Sequence, residues 1–209
     1  MESALSAPCA PVRPPAFPRP RSVGLRLHPP GDPQRDAVQR LIAAVYREHF
    51  GARVPNWAPT LVSVGEGGSI AAAAGYRRAT ETLYLERYLD APVERALAAA
   101  LGIAAPSRER IVEVGHLAAI RPGASRVLMA GLGRHLATNG VDWVVSTATA
   151  SLRAMFERMG MTVVELGRAS AQAAGPQAAS WGRYYAERPT VIAGALLPNL
   201  ARVDAAGQR

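Results

Sequence analysis

Residues 110–140 read RIVEVGHLAAIRPGASRVLMAGLGRHLATNG. The first part, Arg110–Ile120, is rich in apolar and β-branched residues, which is typical of a buried β-strand. In the second part, Ala124–Asn139, a leucine recurs at every fourth position, as on one face of an α-helix. Gly140 is a residue type that commonly ends a helix. The stretch therefore predicts a strand, a short loop and a helix in direct succession.

The residues that follow continue the same alternation. A second strand is predicted at Val141–Thr147, a short helix at Ser151–Met159 before Gly160, and a third strand at Thr162–Leu166. Crossovers between parallel strands are almost always right-handed and place helices against the sheet. The run therefore predicts a mixed α/β fold, in which a central mixed, twisted sheet has helices on both faces.

The segments on either side of this run add further strands and helices. Upstream, the pattern predicts a strand at Ser22–His28, a helix between Pro33 and Gly51, a hairpin of Thr60–Val64 and Ser69–Arg77, an extended piece at Thr82–Leu85 and a helix from Pro92. Downstream, Trp181–Leu200 predicts a helix and then a final edge strand.

Length and composition indicate one domain. The chain has 209 residues, 49% of them hydrophobic, which suffices for one core but not for two. We expect a domain at 22–200, a disordered Pro- and Arg-rich tail at 1–21 and a flexible C-terminus at 201–209. The longest apolar runs are much shorter than a membrane span, and prolines interrupt the N-terminus where a secretory signal would be apolar. A cytoplasmic location is therefore expected.

Several kinds of chemistry are excluded by residues that the sequence lacks. Cys9 is the single cysteine, so neither a disulfide framework nor a thiolate metal site is expected. No Gly-x-Ser-x-Gly motif is present, which argues against a lipase. The net charge is +8 and all the positive side chains are arginine. Such a surface favours encounters with nucleotide cofactors, acidic carrier proteins or RNA, without choosing among them.

Three phrases resemble one family. They are LYLERYLDAPVE at 83–94, IVEVGHLA at 111–118 and WGRYY at 181–185, and they are similar to the thermostable hemolysin family over about residues 35–195. The order of helix, hairpin, β-α-β-α-β run and closing strand resembles the GNAT superfamily of N-acyltransferases. A more distant resemblance is to the acyl-homoserine-lactone synthases.

The resemblance implies an N-acyltransferase that moves an acyl or aminoacyl group from an activated carrier to a small-molecule amine. The carrier is a coenzyme A thioester, an acyl carrier protein or an aminoacyl-tRNA, used as a co-substrate, and no tightly bound cofactor or metal is implied. The alternative is a non-catalytic or membrane-active hemolysin-like protein. Membrane activity requires an exposed apolar surface, whereas the predicted helices use their apolar faces for a core.

In the GNAT superfamily, backbone amides at the start of the helix after the central strand bind the donor's pyrophosphate. The matching loop of this chain consists of Arg121, Pro122, Gly123, Ala124, Ser125 and Arg126. The amides of Ser125 and Arg126 and the two guanidinium groups are suited to an anion at a helix N-terminus. The loop keeps only part of the family pattern, which favours a donor on a larger acidic carrier. A plain capped turn is the other interpretation.

Three residues are candidates for the base that deprotonates the amine: Glu86, Glu113 and His116. A Glu86 side chain among Tyr84 and Tyr88 in a cleft would have a raised pKa, although an ion pair with an arginine is equally compatible with the sequence. Glu113 competes for the same role. Strict strand alternation separates Glu113 from His116, but a bulge at Gly115, as the resemblance implies, turns both to one face.

The remaining site predictions concern substrate contacts and assembly. Candidate substrate-binding residues are Tyr88, Thr147, Trp181, Tyr184 and Tyr185, although such aromatic residues also commonly belong to a core. The general-acid tyrosine of many GNAT enzymes is replaced here by Phe156, so the leaving group needs another proton source. The apolar segment Val191–Leu200 suits pairing in a homodimer.

Overall fold

The computed structural model describes residues 24–207. Seven strands form its sheet: β1 (Arg26–His28), β2 (Thr60–Val64), β3 (Ala72–Arg78), β4 (Ile111–Ala119), β5 (Trp143–Ala148), β6 (Val164–Arg168) and β7 (Thr190–Ala195). The α-helices are α1 (Arg35–Phe50), α2 (Val93–Leu101), α3 (Ala124–Thr138), α4 (Ala150–Arg158), α5 (Ala171–Ala174) and α6 (Leu196–Gly207). Four 3-10 segments lie at Tyr84–Tyr88, Arg108–Arg110, Gly175–Trp181 and Tyr184–Glu187.

The strands lie in the order β1-β2-β3-β4-β5-β7-β6. Strands β4 and β5 pair in parallel, and the other neighbouring strands pair antiparallel. A parallel pair needs a crossover connection, which α3 supplies between β4 and β5. The sheet is therefore mixed at its centre, where the two halves of the molecule meet.

Side-chain alternation along β2 shows how the sheet is covered. Leu61 packs with α1 residues Val38 and Ile42, whereas Val62 packs with α3 residues such as Leu128. All of these side chains are fully buried, and each contributes about 1.5–3 kcal/mol of stability. Helix α2 packs over Ile111 and Val145 in a further cluster. The predicted mixed α/β sheet with helices on both faces is therefore confirmed.

The predicted ends of the chain need correction. The tail at 1–21 lies outside the described residues. The last strand, β7, lies between β5 and β6 and is not an edge strand. Nearly all its residues are buried within this chain, so Val191–Ala195, half of the segment expected to pair in a homodimer, is occupied by the sheet. The C-terminus was expected to be flexible from 201, but α6 continues to Gly207 and packs its Leu196 and Val203 inward, because these apolar residues cover the sheet.

Candidate active site

The two central strands separate in the middle of the sheet. Pairing of β4 with β5 covers only three residues of each strand, and the last partners are Glu113 and Val145. Both strands continue beyond that point, β4 to Ala119 and β5 to Ala148. Backbone groups of β4 on the side facing β5 therefore have no strand partner there, and a slot opens between the two strands.

A bulge in β4 changes which side chains face this slot. On β3, Ala73 pairs with Ala118 and Gly75 pairs with Gly115, so His116 and Leu117 together oppose the single residue Ala74. One extra residue in a strand reverses the side-chain alternation beyond it. Glu113 and His116 consequently face the same cavity, as the sequence predicted. The residue with the unusual backbone conformation in the bulge is His116, with φ of 55°, and not Gly115 as predicted.

The cavity on this face of the sheet measures about 90 Å³ and is partly open. Gly75 lines this cavity and leaves no room for a larger residue, because an added Cβ would lie 2.7 Å from the Cβ of Ala58 and 3.1 Å from His116 Nδ1. Aromatic side chains form most of its walls, namely Tyr46, Trp57, Tyr84, Tyr88, Trp181 and Tyr184. We call this cavity the polar cleft, because Arg77, Glu113 and His116 also line it.

Glu113 is the carboxylate at the point where the strands separate. Its oxygens accept hydrogen bonds from the backbone amides of Tyr84, at 2.7 Å, and Leu85, at 3.1 Å. These two bonds hold the carboxylate in one orientation at the wall of the cleft. Burial raises the pKa of Glu113 to about 6, although the two amides oppose the shift. A fixed carboxylate with this pKa is suited to general-base catalysis near neutral pH.

Glu86 lies in a different environment from the one predicted. The segment forms a 3-10 turn rather than an extended piece, so Tyr84 and Tyr88 face the cleft while Glu86 does not line it. Its oxygens accept from the amides of Leu83 and Val93 and from Arg108. Burial opposes ionisation, but these hydrogen bonds outweigh it and hold the pKa of Glu86 below its usual range. The predicted raised pKa is wrong.

Arg108 connects the parts of the chain behind the cleft. It donates to Glu86 and to Glu94, each at 2.6 Å, and to the carbonyl of Ala79. Glu86 belongs to the 3-10 turn, Glu94 belongs to α2, and Ala79 directly follows β3. The network therefore fixes the turn that supplies the two amides to Glu113.

We expect Arg108→Met to lower the free energy of unfolding by about 2 kcal/mol, because it leaves two half-buried carboxylates without their cation. For a domain of this size the melting temperature falls by about 4–8 °C, which calorimetry measures. Arg110→Met is the matched control, since its pair with Asp142 is exposed and contributes less than about 1 kcal/mol. An equal loss in both variants would contradict the structural role of Arg108.

His116 is held as a neutral ring. Its Nε2 lies 3.0 Å from the carbonyl of Asn56, so this nitrogen carries the proton and donates. Burial lowers the pKa of His116 to about 4. Nδ1 is buried and has no hydrogen-bond partner among the described residues. A ring with this pKa is a weak base at neutral pH, so of the three candidates Glu113 has the best environment for proton transfer.

The predicted donor loop lies at the start of α3. Gly123 has φ of 77° and precedes the first helical residue, Ala124. The amide of Arg126 donates to the Gly123 carbonyl at 3.1 Å. It is therefore engaged within the loop, whereas the sequence predicted that it binds an anion. The amide of Ser125 has no backbone acceptor within residues 24–207. Arg121 and Arg126 are both exposed, so the start of α3 carries two guanidinium groups at the surface.

A second cavity lies on the opposite face of the sheet. It measures about 110 Å³, is partly open, and is lined by residues of α3, α4, α6 and the strands. We call it the apolar chamber, because its walls are nearly all hydrophobic, including Leu128, Leu132 and Phe156. Four residues line both the chamber and the polar cleft: Val114, Leu117, Ser146 and Leu152. The slot between β4 and β5 thus joins the two cavities.

The other predicted substrate-binding residues divide into two groups. Tyr88, Thr147, Trp181 and Tyr184 line the polar cleft. Tyr185 does not line it and contacts Tyr88, with 2.7 Å between the hydroxyls. Thr147 Oγ1 is buried without a partner among the described residues, and buried polar atoms of this kind commonly await a ligand or water.

Several lining residues were not predicted from the sequence, and three of them are Arg77, Trp57 and Leu152. Arg77 reaches the cleft because it lies opposite Glu113 on β3, and only the strand register shows this. Trp57 lies on a loop before β2, where its ring centroid is 5.5 Å from that of His116. Leu152 lies at the start of α4 beside the slot. The exposed arginines and apolar residues elsewhere in the chain have the same local patterns, so no sequence signal distinguished these three.

The sequence and the fold are both similar to known proteins. The family model of thermostable hemolysin matches residues 28–199. No curated protein sequence is detectably similar to the chain. Among solved structures, the acyl-homoserine lactone synthase LasI superposes with a TM-score of 0.57 at 16% identity, covering 82% of this chain and 89% of that one.

Two further structures extend the comparison. FeeM, an N-acyl amino acid synthase from uncultured soil microbes, has a TM-score of 0.57 at 13% identity over 88% of this chain and 97% of its own. BjaI, a CoA-dependent acyl-homoserine lactone synthase with SAM and isopentyl-CoA, has a TM-score of 0.56 at 16% identity over 83% of each chain. The TM-scores show that these proteins share the GNAT-like fold, as predicted. Identities this low extend the likeness no further than the fold.

Proposed function

Because the chain belongs to the thermostable hemolysin family and has the fold of acyl-transferring synthases, we propose that it is an N-acyltransferase. It moves an acyl group from a thioester on a carrier to a small-molecule amine. The observation that supports this most is the slot between β4 and β5, which has a polar cleft at one end and an apolar chamber at the other.

In the proposed reaction the thioester carbonyl lies in the slot. Backbone N–H groups on the open edge of β4 stabilise the developing oxyanion. The amine enters through the polar cleft and attacks the carbonyl carbon, so that a C–N bond forms and the C–S bond breaks. Glu113 accepts the proton from the amine. The thiolate leaves with a proton from solvent, since Phe156 is buried beside the chamber and has no hydroxyl.

The acyl chain occupies the apolar chamber. A cavity of about 150 Å³ lined by apolar side chains takes up benzene, so a chamber of about 110 Å³ accommodates roughly four methylene groups by the same scale. Each buried methylene contributes about 0.8 kcal/mol. The donor is therefore a medium-length acyl thioester rather than an acetyl thioester.

The donor's carrier binds at the start of α3. The guanidinium groups of Arg121 and Arg126 and the Ser125 amide, which has no backbone acceptor within residues 24–207, suit a phosphate group. The same cations suit coenzyme A, the phosphopantetheine arm of an acyl carrier protein and an aminoacyl-tRNA. The amides of Ala124 and Arg126 already donate to carbonyls of the same loop, so they are not available to a pyrophosphate, which favours the protein carrier.

The test is release of free thiol from octanoyl-coenzyme A and from octanoyl acyl carrier protein, with a panel of primary amines, and mass spectrometry of the amide product. Aminoacyl-tRNA is a separate arm, followed by transfer of the labelled amino acid. Lysis of red cells is measured in parallel. Lysis at stoichiometric protein, without consumption of any donor, would overturn the proposal and favour the hemolysin-like alternative.

Within residues 24–207 no helix has the length and apolarity that a membrane crossing requires. The large apolar side chains that are exposed, such as Ile120 and Leu197, are scattered over different elements. Scattered apolar residues are normal on protein surfaces.

A further inference from the structure

Arg77 is the cation of the polar cleft. On β3 it lies directly opposite Glu113 of β4 in the strand register. Residues opposite each other in an antiparallel pair project from the same face, with Cβ atoms about 4.5–5.5 Å apart. Both side chains accordingly line the cleft. The pair is a positive and a negative group, side by side, at the place where the amine is proposed to enter.

The two groups do not neutralise each other as an ion pair. No salt bridge of Arg77 is formed among the described residues, and both Glu113 oxygens are occupied by backbone amides. Arg77 donates one hydrogen bond, to the carbonyl of Thr82 at 3.1 Å. A guanidinium has five N–H donors, so most of its hydrogen-bonding capacity faces outward from the fold or into the cleft.

Other arginines that reach into the fold are used differently. Arg35 donates to the carbonyls of three residues, His28, Ala58 and Pro59. Arg108 pairs with two carboxylates. These side chains are structural, because their donors are directed at fixed partners. Arg77 differs from both, since it lines a cavity and has a single fixed acceptor.

We infer that Arg77 binds a carboxylate of the acceptor, and that the acceptor is an amino acid or a close relative with amine and carboxylate on one carbon. This inference rests on the proposed function. Such a molecule places its ammonium group at Glu113 and its carboxylate at Arg77 simultaneously, because the two protein groups are neighbours across the strands. A guanidinium and a carboxylate match in shape and charge and form paired hydrogen bonds.

The walls of the cleft indicate which amino acids fit. Trp57, Tyr84 and Trp181 surround the space beside Arg77 and Glu113, and aromatic walls favour an apolar or aromatic side chain. Glu113 is the anionic side chain that lines the cleft, and beside it a second negative side chain would be repelled. Leucine, phenylalanine and tyrosine are therefore the acceptors to test.

The experiment compares each of these amino acids with its amide and with its decarboxylated amine, using octanoyl acyl carrier protein and octanoyl-coenzyme A as donors. We expect the wild-type protein to acylate the amino acids with the lowest KM. Arg77→Gln raises that KM by about 10- to 100-fold, the usual contribution of a charged hydrogen bond. In Arg77→Gln the KM for the decarboxylated amines stays within about twofold of the wild-type value, because these amines make no contact with Arg77.

Two further variants support the interpretation. Arg78→Gln is the matched control, since Arg78 is the next residue of β3 but donates to the Glu109 and Asn139 carbonyls. We expect this variant to keep the wild-type preference for acceptors with a carboxylate. Arg77→Lys keeps the charge but not the paired geometry, so its KM lies between those of the wild type and Arg77→Gln. Calorimetric titration with the amino acids, without any donor, measures binding independently of the reaction.

The outcomes separate the two claims. If wild type acylates amines with and without a carboxylate equally well, the inference about Arg77 is wrong and the acyltransferase proposal remains. If no amine is acylated with any donor, the proposed function is wrong. In that case titration still decides the inference, which stands only if an amino acid binds to the wild type and loses that binding in Arg77→Gln.

Discussion

Glu113→Gln lowers kcat by about 10²- to 10⁴-fold, which is the usual contribution of a general base. Glutamine keeps the size of the side chain and one of the two acceptor oxygens, so one of the Tyr84 and Leu85 amides loses its acceptor, and glutamine cannot take a proton from the amine. The measurement is steady-state release of thiol from octanoyl acyl carrier protein with leucine, phenylalanine or tyrosine as acceptor. A thermal melt confirms that the variant is folded.

The pH dependence gives this prediction a second readout. The base must be deprotonated to act, and burial raises the pKa of Glu113 to about 6. The kcat/KM of the wild type therefore stays level above about pH 6 and falls tenfold for each pH unit below it. In Glu113→Gln the remaining activity loses this fall, since the titrating group has been removed.

Glu109→Gln is the control for the change of charge, because Glu109 is exposed near the start of β4 and does not line the cleft. It leaves kcat and the pH profile as in the wild type. An unchanged pH profile in Glu113→Gln would contradict the role of Glu113. Since His116 has a pKa of about 4 and Glu86 a lowered one, the profile also distinguishes the three candidates.

Leu152→Trp removes the preference for medium-length donors. Leu152 lines both cavities at the slot, and the larger ring closes the route into the apolar chamber. Four buried methylenes contribute about 3 kcal/mol, so wild type prefers octanoyl over acetyl donors by roughly 200-fold in kcat/KM. In the variant this ratio falls to within about tenfold of unity, because octanoyl donors no longer gain from burial in the chamber.

Ser151→Trp adds the same side chain at the preceding residue of α4, which is exposed, and it leaves the chain-length preference unchanged. The measurement is kcat/KM for donors from acetyl to dodecanoyl. Wild type that uses acetyl and octanoyl donors equally would show that the apolar chamber does not bind the acyl chain. Full retention of the octanoyl preference in Leu152→Trp would show that the acyl chain does not reach the chamber through the slot beside Leu152.

The order of the elements was predictable because it depends on local patterns. The leucine stripe of α3 and the glycines after α1 and α3 mark helices and their ends wherever the chain goes. The strand β4 was predicted from its apolar residues and its bulge from the family resemblance, and the pairing of β3 with β4 confirms the bulge. The 3-10 turn at Tyr84–Tyr88 was missed, because its alternation of apolar and polar residues also fits a strand.

Local sequence patterns could not decide whether Glu86 or Glu113 is the better candidate for the base. In the sequence Glu86 lies among leucines and tyrosines and Glu113 lies in an apolar strand, so both remained candidates for the base. Arg108 is 22 residues from Glu86, and only the folded chain brings its guanidinium to that carboxylate. Glu113 instead receives two amides and no cation within hydrogen-bonding distance, so the two pKa values move in opposite directions.

The sequence by itself determined the fold class and the identity of the strand that carries the site, because periodicity and turn residues act between neighbours along the chain. Tertiary structure decided the position of β7 inside the sheet, the meeting of Arg77 with Glu113, and the apolar chamber behind the slot. These features depend on strand register and on packing between distant elements. A shift of one residue in register would exchange the faces of β3, and no local pattern encodes that choice.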